Sequence, residues 1–431
     1  MSHQDDLGDG IGGWGRDFRE LTPDGRLLFA TRCARLFAYG LVSVVLVLYL
    51  SALGLTDGQI GVLLTMTLLG DIVISLAITT TADRVGRRTM LSVGAILMVF
   101  AGAFFALTSN FWWLLVAATI GVISPSGNEV GPFLSIEQAA LSQLVPRARR
   151  TNVFAWYNLV GSLATALGAL SGGAVAQIAQ SYGVTGANSY RPLIFGYAAF
   201  GLILAAAFIR LSPAAEAPVR IASTIPTPAS SLSSRFGLPR SLPVVLKLSG
   251  LFALDSFGGG FVIQSIVAYW FYRRFAVEPA AIGAIFFAAN ILAGVSGLSA
   301  AWIARRIGLV RTMVFTHLPS NVLLILVPLM PNLELAILVL LLRFSISQMD
   351  VPTRQAYTME VVTADERSAA AGVTGVGRSV GAAMSPLLAG LLIGIPALMS
   401  VPFFVAGGIK ILYDVLLYRS FVGVGAPRHG V

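Results

Sequence analysis

The order of apolar and polar residues divides this chain into twelve long apolar runs, at about 27–54, 58–82, 89–108, 112–142, 151–180, 191–211, 243–271, 280–303, 309–330, 333–355, 366–394 and 397–418. Each holds the roughly 20 residues that a helix needs to cross the hydrocarbon core of a bilayer. Backbone in that medium has to satisfy its own hydrogen bonds, so the runs predict helices rather than strands or loops. The pattern predicts an all-α integral membrane protein of twelve transmembrane helices.

The pattern also repeats. The stretch 212–242, "SPAAEAPVRIASTIPTPASSLSSRFGLPRSL", is rich in Pro, Ser and Ala and contains no spanning run, so it reads as a linker between six helices and six. "IGVLL" at 60 and "ADRVGRR" at 82 align, at an offset of 222, with "IGAIF" at 282 and "ARRIGLV" at 304. At an offset of 217, "EQAALSQLVPRARRT" from Glu137 aligns with "RQAYTMEVVTADERS" from Arg354, and "ATALGALSGG" from Ala164 with "GAAMSPLLAG" from Gly381. The expected organisation is an N-terminal segment 1–26, a six-helix bundle 27–211, the linker 212–242, a second six-helix bundle 243–418 and a tail 419–431. Two like-oriented six-helix halves with a polar site between them at mid-depth describe an alternating-access carrier.

Composition agrees, with 56% hydrophobic residues and a mean hydropathy of +0.81. The net charge of +9 changes the picture only through its placement. Arginines cluster in alternate connections, with Arg84, Arg87 and Arg88, then Arg147, Arg149 and Arg150, then Arg305, Arg306 and Arg311 on the side of both termini. The opposite side holds Arg191, Arg273 and Arg274. The positive-inside rule then puts both termini in the cytoplasm of a cell whose plasma or inner membrane holds the protein. The basic residues form no solvated stripe, so nucleic acid is not an expected partner. The acidic, polar N-terminal stretch has no apolar core of a signal peptide and is read as retained. One cysteine, Cys33, excludes an intrachain disulfide, and three histidines, two of them near the termini, make a histidine-held metal centre unexpected.

The stretch "TTTADRVGRR" at 79–88 resembles the loop between spans two and three of the major facilitator superfamily, G-x-L-A-D-R-x-G-R-R. Ala82, Asp83, Arg84, Gly86, Arg87 and Arg88 match, while Thr79 and Thr81 depart from the pattern. The resemblance, which covers about residues 27–418, implies a pseudo-symmetric twelve-helix transporter. It also implies that this loop is a cytoplasmic latch, with Asp83 near the N-terminus of span eleven. A carboxylate there meets unpaired N–H groups and the positive end of the helix dipole, worth up to about 1 kcal/mol when exposed. In the second half Arg305 stands where the repeat calls for the counterpart of Asp83, so that latch is degenerate. "ATALGALSGG" resembles the antiporters' G-x-x-x-G-P-x-x-G-G of span five, with Ala169 in place of the proline; close helix packing explains the same small residues equally well.

Ionisable groups inside spans are costly and line cavities or pair with each other. Counting along the helices puts Asp71, Glu129, Asp255, Arg343 and Arg378 near mid-depth. "SPSGNEVGP" at 124–132 has two prolines and two glycines around Asn128 and Glu129, a broken span at the depth where carriers touch their cargo. Candidate substrate or proton sites are therefore Asp71, Asn128, Glu129, Asp255, Arg343 and Arg378. Burial in apolar surroundings favours a neutral carboxyl, which makes Asp71, Glu129 and Asp255 the candidate proton carriers. The candidate cytoplasmic gate is Asp83, Arg84, Gly86, Arg87, Arg88, Glu137, Asp350 and Arg354. Asp350 and Arg354 share a helical face as an i,i+4 pair, Pro352 between them is expected to kink the span, and Glu137 is expected to meet Arg354 across the inner mouth. His317, alone in span nine, is read as structural. "WFYRRF" at 270–275 is read as an interfacial aromatic belt with snorkelling arginines.

The leading functional expectation is a proton-coupled exporter of a small organic molecule, acting as a monomer without cofactor. The alternatives are a symporter or uniporter taking up an organic anion, with Arg343 and Arg378 holding the charge, and a receptor built on a carrier scaffold. There is no G-x-x-x-x-G-K-S/T loop to bind ATP and no serine–histidine constellation, so no enzyme is expected.

Overall fold

The computed structural model describes residues 20–127, 131–146, 149–216, 238, 240–363 and 366–422, all helix and connection with no strand among them. In chain order the helices are α1 (Pro23–Ser43), α2 (Leu46–Ala52), α3 (Asp57–Val85), α4 (Arg87–Leu107), α5 (Phe111–Ile120), α6 (Phe133–Leu144), α7 (Arg150–Ser181) and α8 (Arg191–Phe208). The second half has α9 (Leu242–Gly260), α10 (Gln264–Phe275), α11 (Pro279–Ile307), α12 (Leu309–Leu326), α13 (Leu333–Phe344), α14 (Asp350–Glu360), α15 (Arg367–Ile393) and α16 (Val401–Phe421). Among the described residues nine helical segments are long and apolar enough to cross a membrane. A tenth joins them when α1 and α2, bent by 44°, are taken together.

The helices start where side chains can satisfy their first N–H groups. Thr22 accepts from Gly25 N at the head of α1. Thr56 and Gln59 form a reciprocal capping box at α3. Asn110 and Asn332 cap α5 and α13. Two hairpin corners need glycine: Gly86 (φ +112°) between α3 and α4, and Gly308 (φ +87°) between α11 and α12. They are equivalent under the repeat of 222 residues, and only a residue without Cβ takes such backbone angles at no cost.

Four predicted runs are interrupted, and the interruptions fall at matching places in the two halves. The first and seventh runs break at Val44–Val45 and Phe261–Ile263. The fourth breaks after Ile120 and resumes at Phe133, and the tenth breaks at Ser345–Met349. The expected kink at Pro352 is replaced by that last break: Pro352 is the third residue of α14, where its missing N–H leaves no intrahelical bond unmade. Irregular backbone at membrane depth survives only under protein cover. The 121–127 stretch has it, with Val122 O accepting from Tyr197 Oη (2.7 Å) and Pro125 O from Ser265 N of the other half (3.2 Å).

Within the halves α1 packs on α7 and α4 on α8, and their counterparts α9 on α15 and α12 on α16. Between the halves α7 packs on α11 and α3 on α15, again a matched pair of contacts. Each comes to backbone contact through glycine. A Cβ on Gly173 would lie 2.2 Å from Pro279 O and 2.9 Å from Gly283 Cα, and one on Gly390 would lie 2.5 Å from Asp57 O and 2.9 Å from Gly61 Cα. The repeat makes Gly173 equivalent to Gly390 and Gly61 to Gly283, so the two contacts are one contact made twice. Large apolar side chains such as Val73, Leu202, Val295 and Met384 stay more than half exposed, as a surface turned to lipid requires.

Candidate functional site

Each half buries an ion cluster between its first and fourth runs. In the first half Arg35 of α1 forks onto Glu137 of α6, with both bonds at 2.7 Å and both side chains fully buried. Tyr157 Oη and Thr31 Oγ1 also donate to Glu137. Arg35 lies 4.6 Å from the Phe133 ring centre, and Arg32 lies 4.2 Å from that of Tyr157. A bidentate, charge-assisted pair with its remaining lone pairs satisfied is the form in which buried ions are tolerated.

In the second half Asp255 of α9 receives Lys410 Nζ from α16 (2.7 Å) and Arg354 NH1 from α14 (3.1 Å). Arg354 NH2 reaches Asp350 at 3.1 Å, the expected i,i+4 pair. His317 of α12 lies against Asp414 Oδ1 through Nδ1 (2.8 Å) and faces Asp255 Oδ1 through Nε2 (3.6 Å). Asn321 donates to Asp414 Oδ2 at 2.9 Å. Four spans are tied together by this network.

The two clusters are related by the internal repeat with their charges exchanged. Gly40 lies against the Thr165 carbonyl as Gly260 lies against that of Ala382, which sets α1 on α9 at an offset of 220 and aligns Arg35 with Asp255. Glu137 aligns with Arg354 at 217. A cation on the first run and an anion on the fourth thus become an anion on the seventh and a cation on the tenth.

Asp71 on α3 accepts from Gly131 N (2.5 Å) and Ser75 Oγ (3.2 Å). Asn128 and Glu129 lie outside the described residues. Arg343 and Arg378 are half-buried, and among the described residues neither has a carboxylate within 4 Å; the Nε of each is buried without a partner. Arg378 lies on the side of α15 away from the exposed stripe of Val380, Met384 and Leu391. The donor atoms of Asp255, His317 and Asp350 come within 4.8 Å of one another, as a metal site requires. Arg354 already spans the two carboxylates, however, so the chain itself supplies the positive charge that such a group would attract.

Hydrogen bonds join the halves on the Asp57 side. Asp57 accepts from Tyr269 Oη (2.8 Å) and Arg273 NH1 (3.3 Å), Gln264 Nε2 donates to Ser43 Oγ (2.7 Å), and Leu387 N donates to Thr65 Oγ1 (3.0 Å). Only part of "WFYRRF" can face lipid, with Tyr272 and Arg274 exposed. Trp270 and Phe271 are fully buried against Phe275 and Phe403, and Arg273 belongs to the contact between halves.

At the opposite end Asp83 is 68% exposed and pairs with Arg87 of its own half (3.1 Å), not with the start of α15. The N–H groups that open α4, those of Arg87 and Arg88, are held by Glu216 at 2.6 and 3.1 Å. Arg84 and Arg88 are exposed, and Gly86 makes the corner. Glu137 and Arg354 do not meet across the mouth in this conformation. Each is buried within its own half on a partner the sequence reading did not assign, Arg35 for one and Asp255 for the other.

The sequence pattern of the Major Facilitator Superfamily matches residues 28–383. The chain belongs to the major facilitator superfamily. This major facilitator protein is 32% identical over 436 residues to "Uncharacterized membrane protein YJR124C" of Saccharomyces cerevisiae, covering 95% of this chain and 96% of that protein. It is 28% identical over 139 residues to the quinolone resistance protein NorA of Staphylococcus aureus, 32% of this chain and 34% of that one. Among solved structures, the inward-facing, occupied form of a bacterial homologue of the human lysosomal transporter Spinster superposes with a TM-score of 0.70, at 15% identity, over 96% of this chain and 99% of that one. A D-xylose–proton symporter superposes with a TM-score of 0.69, at 14% identity, over 92% and 97%. The fold of this major facilitator protein is thus that of an alternating-access transporter.

Residues missed from sequence include Arg35, Tyr157, His317, Lys410 and Asp414. Lys410 and Asp414 did carry a signal: two opposite charges four residues apart inside an otherwise apolar run, the kind of charge that spans rarely hold without purpose.

Proposed function

We propose that this protein is a proton-driven secondary transporter that exports a small organic molecule. It crosses the plasma or inner membrane twelve times as a monomer, with both termini in the cytoplasm and 27–211 and 243–418 rocking about a central site. One observation carries the reading: the halves touch backbone to backbone at Gly61/Gly390 and Gly173/Gly283 on the Asp57 side, while Asp83 at the other end is open to solvent. With the arginine-rich end in the cytoplasm, that is a carrier open inward. Closing it brings the Asp83 loop to the start of α15 and separates the glycine contacts, so one site faces the two sides in turn. The partial likeness to NorA supports export of an organic molecule. The half-buried Asp71 and the buried Asp255 support proton coupling, because a ligand shifts a two-state carrier only by binding the two states unequally.

The test is reconstitution in proteoliposomes with an imposed pH gradient and a fluorescent quinolone as first probe. Quinolone-dependent proton flux that disappears in Asp71→Asn or Asp255→Asn is the expected result. Quinolone flux of the same size with and without the pH gradient would refute the coupling. Arg343 and Arg378, without carboxylate partners among the described residues, favour a second reading in which the cargo is an organic anion. Under that reading, organic anions compete with the probe and Arg343→Gln abolishes the competition.

A further inference from the structure

We infer that the second half holds one exchangeable proton on His317, between Asp414 and Asp255, and that this proton is the one that biases the carrier between its two states. The inference rests on the proton-coupled reading above and names the site where coupling occurs.

The geometry of the imidazole carries it. Nδ1 is 2.8 Å from Asp414 Oδ1, and Nε2 faces Asp255 Oδ1 at 3.6 Å. Asn321 Nδ2 donates to the other Asp414 oxygen at 2.9 Å and also lies 3.1 Å from His317 Nδ1, while Asp414 Oδ1 remains the acceptor facing the ring. A neutral imidazole has one N–H and one lone pair, so one of its nitrogens would direct a lone pair at a carboxylate. The imidazolium has two N–H groups, one donating to Asp414 Oδ1 and the other directed at the Asp255 charge from beyond hydrogen-bond length. His317 is 5% exposed, Asp414 0% and Asp255 5%, so bulk solvent does not reach the three groups.

Charge balance in the contact set gives the same answer. Asp255, Asp350 and Asp414 contribute three negative charges, against the positive charges of Arg354 and Lys410. A proton on His317 balances the groups in direct contact, and Arg343 and Arg378 act on Asp255 and Asp350 from farther off.

Three helices bring charged groups to His317. From α16 it is faced by Lys410, Asp414 and the Tyr413 ring, whose centre lies 5.8 Å away; from α9 by Asp255; and from α14 by Asp350 and Arg354. Arg343 of α13 and Arg378 of α15 are half-buried and make no ion pair with this set among the described residues. The ionisable groups of α11, Arg305 and Arg306, are exposed at its far end.

The position suits a switch. Asp255 is shared by His317, Lys410 and Arg354, and Arg354 is on α14, the helix that follows the break at Ser345–Met349. Removing the proton leaves the Asp414 charge uncovered and takes one of three cations from Asp255. The same ion set then holds α9, α12, α14 and α16 in a different balance.

The chain makes the test unusually direct, because its other two histidines, His3 and His429, lie near the termini. The full-length protein with ¹⁵N-labelled histidine, in lipid nanodiscs at pH 7.5, is examined by NMR, with His317→Gln used to assign the signal. An imidazolium signal for His317, lost in Asp414→Asn, is expected. A neutral His317, or an imidazolium that survives Asp414→Asn, overturns the site.

Coupling is read without any substrate. Gly372 lies five helical turns from Gly390 on the same face of α15, with open space where a side chain would go. In a Cys33→Ser, Gly372→Cys background, maleimide labelling is compared with the same protein carrying the charge-balanced pair His317→Gln and Asp414→Asn. The ratio of the two rates is expected to change severalfold between pH 6 and pH 9, and thiol chemistry cancels in that ratio. A constant ratio overturns the coupling role. A failure of quinolone-driven proton flux is a separate result, since neither measurement here contains the drug.

Discussion

Glu137→Gln isolates the physics of the first-half cluster. The change keeps the size and shape of the side chain and removes its charge, taking from the fully buried Arg35 guanidinium, which lies over Phe133, the carboxylate it forks onto. Breaking a buried pair from one side costs about 3–5 kcal/mol, because the remaining charge is neither solvated nor paired. For a unit the size of one half this corresponds to a fall of about 10 °C in apparent melting temperature. Unfolding of such proteins is irreversible, so variants are ranked at one scan rate in one detergent, by the loss of the monodisperse peak on size-exclusion chromatography. Two companions make the reasoning refutable. Replacing both partners with apolar residues, Arg35→Met with Glu137→Leu, is expected to melt near wild type, since no charge is stranded. The exchanged pair Arg35→Glu with Glu137→Arg is expected to recover most of the loss, as the second half already holds the reverse polarity at the matching place. Melting of Glu137→Gln within about 2 °C of wild type, or of the apolar pair as low as the single variant, would sink the argument.

Three further outcomes are expected. Gly173→Val drives a side chain into Pro279 O and Gly283, so the halves cannot close on the Asp57 side; labelling of Ser51→Cys from that side rises severalfold, and an unchanged rate would show that this contact does not hold the gate. Asp83→Asn leaves the melting temperature unchanged because the side chain is mostly exposed, yet it makes Gly372→Cys more accessible from the cytoplasm; a lower melting temperature with unaltered labelling would contradict the latch. Val85→Cys in a Cys33→Ser background is reached by an impermeant maleimide from the cytoplasmic side alone, and labelling from the exterior would invert the topology.

Hydrophobic run length, glycine placement and the spacing of arginines are properties of the chain read in order. The helical membrane class, the duplication and the Gly86 and Gly308 corners were therefore legible before any coordinates. So were the midplane carboxylates and the i,i+4 pair of Asp350 and Arg354, because one helix carries both members. Which buried charge meets which was not legible. Glu137 lies 102 residues from Arg35, Asp255 lies 155 from Lys410 and His317 lies 97 from Asp414, and each pair is set by how helices stack, a choice with no local signature. The burial of Trp270 was hidden for the same reason, since an aromatic residue at a span end suits a lipid boundary and a protein interior equally well. Composition and period determined the kind of elements and their repetition in two halves. Their packing alone decided the exchanged polarity of the two clusters and the seat of His317 between two carboxylates, because a buried charge is given its meaning by neighbours that arrive from elsewhere in the chain.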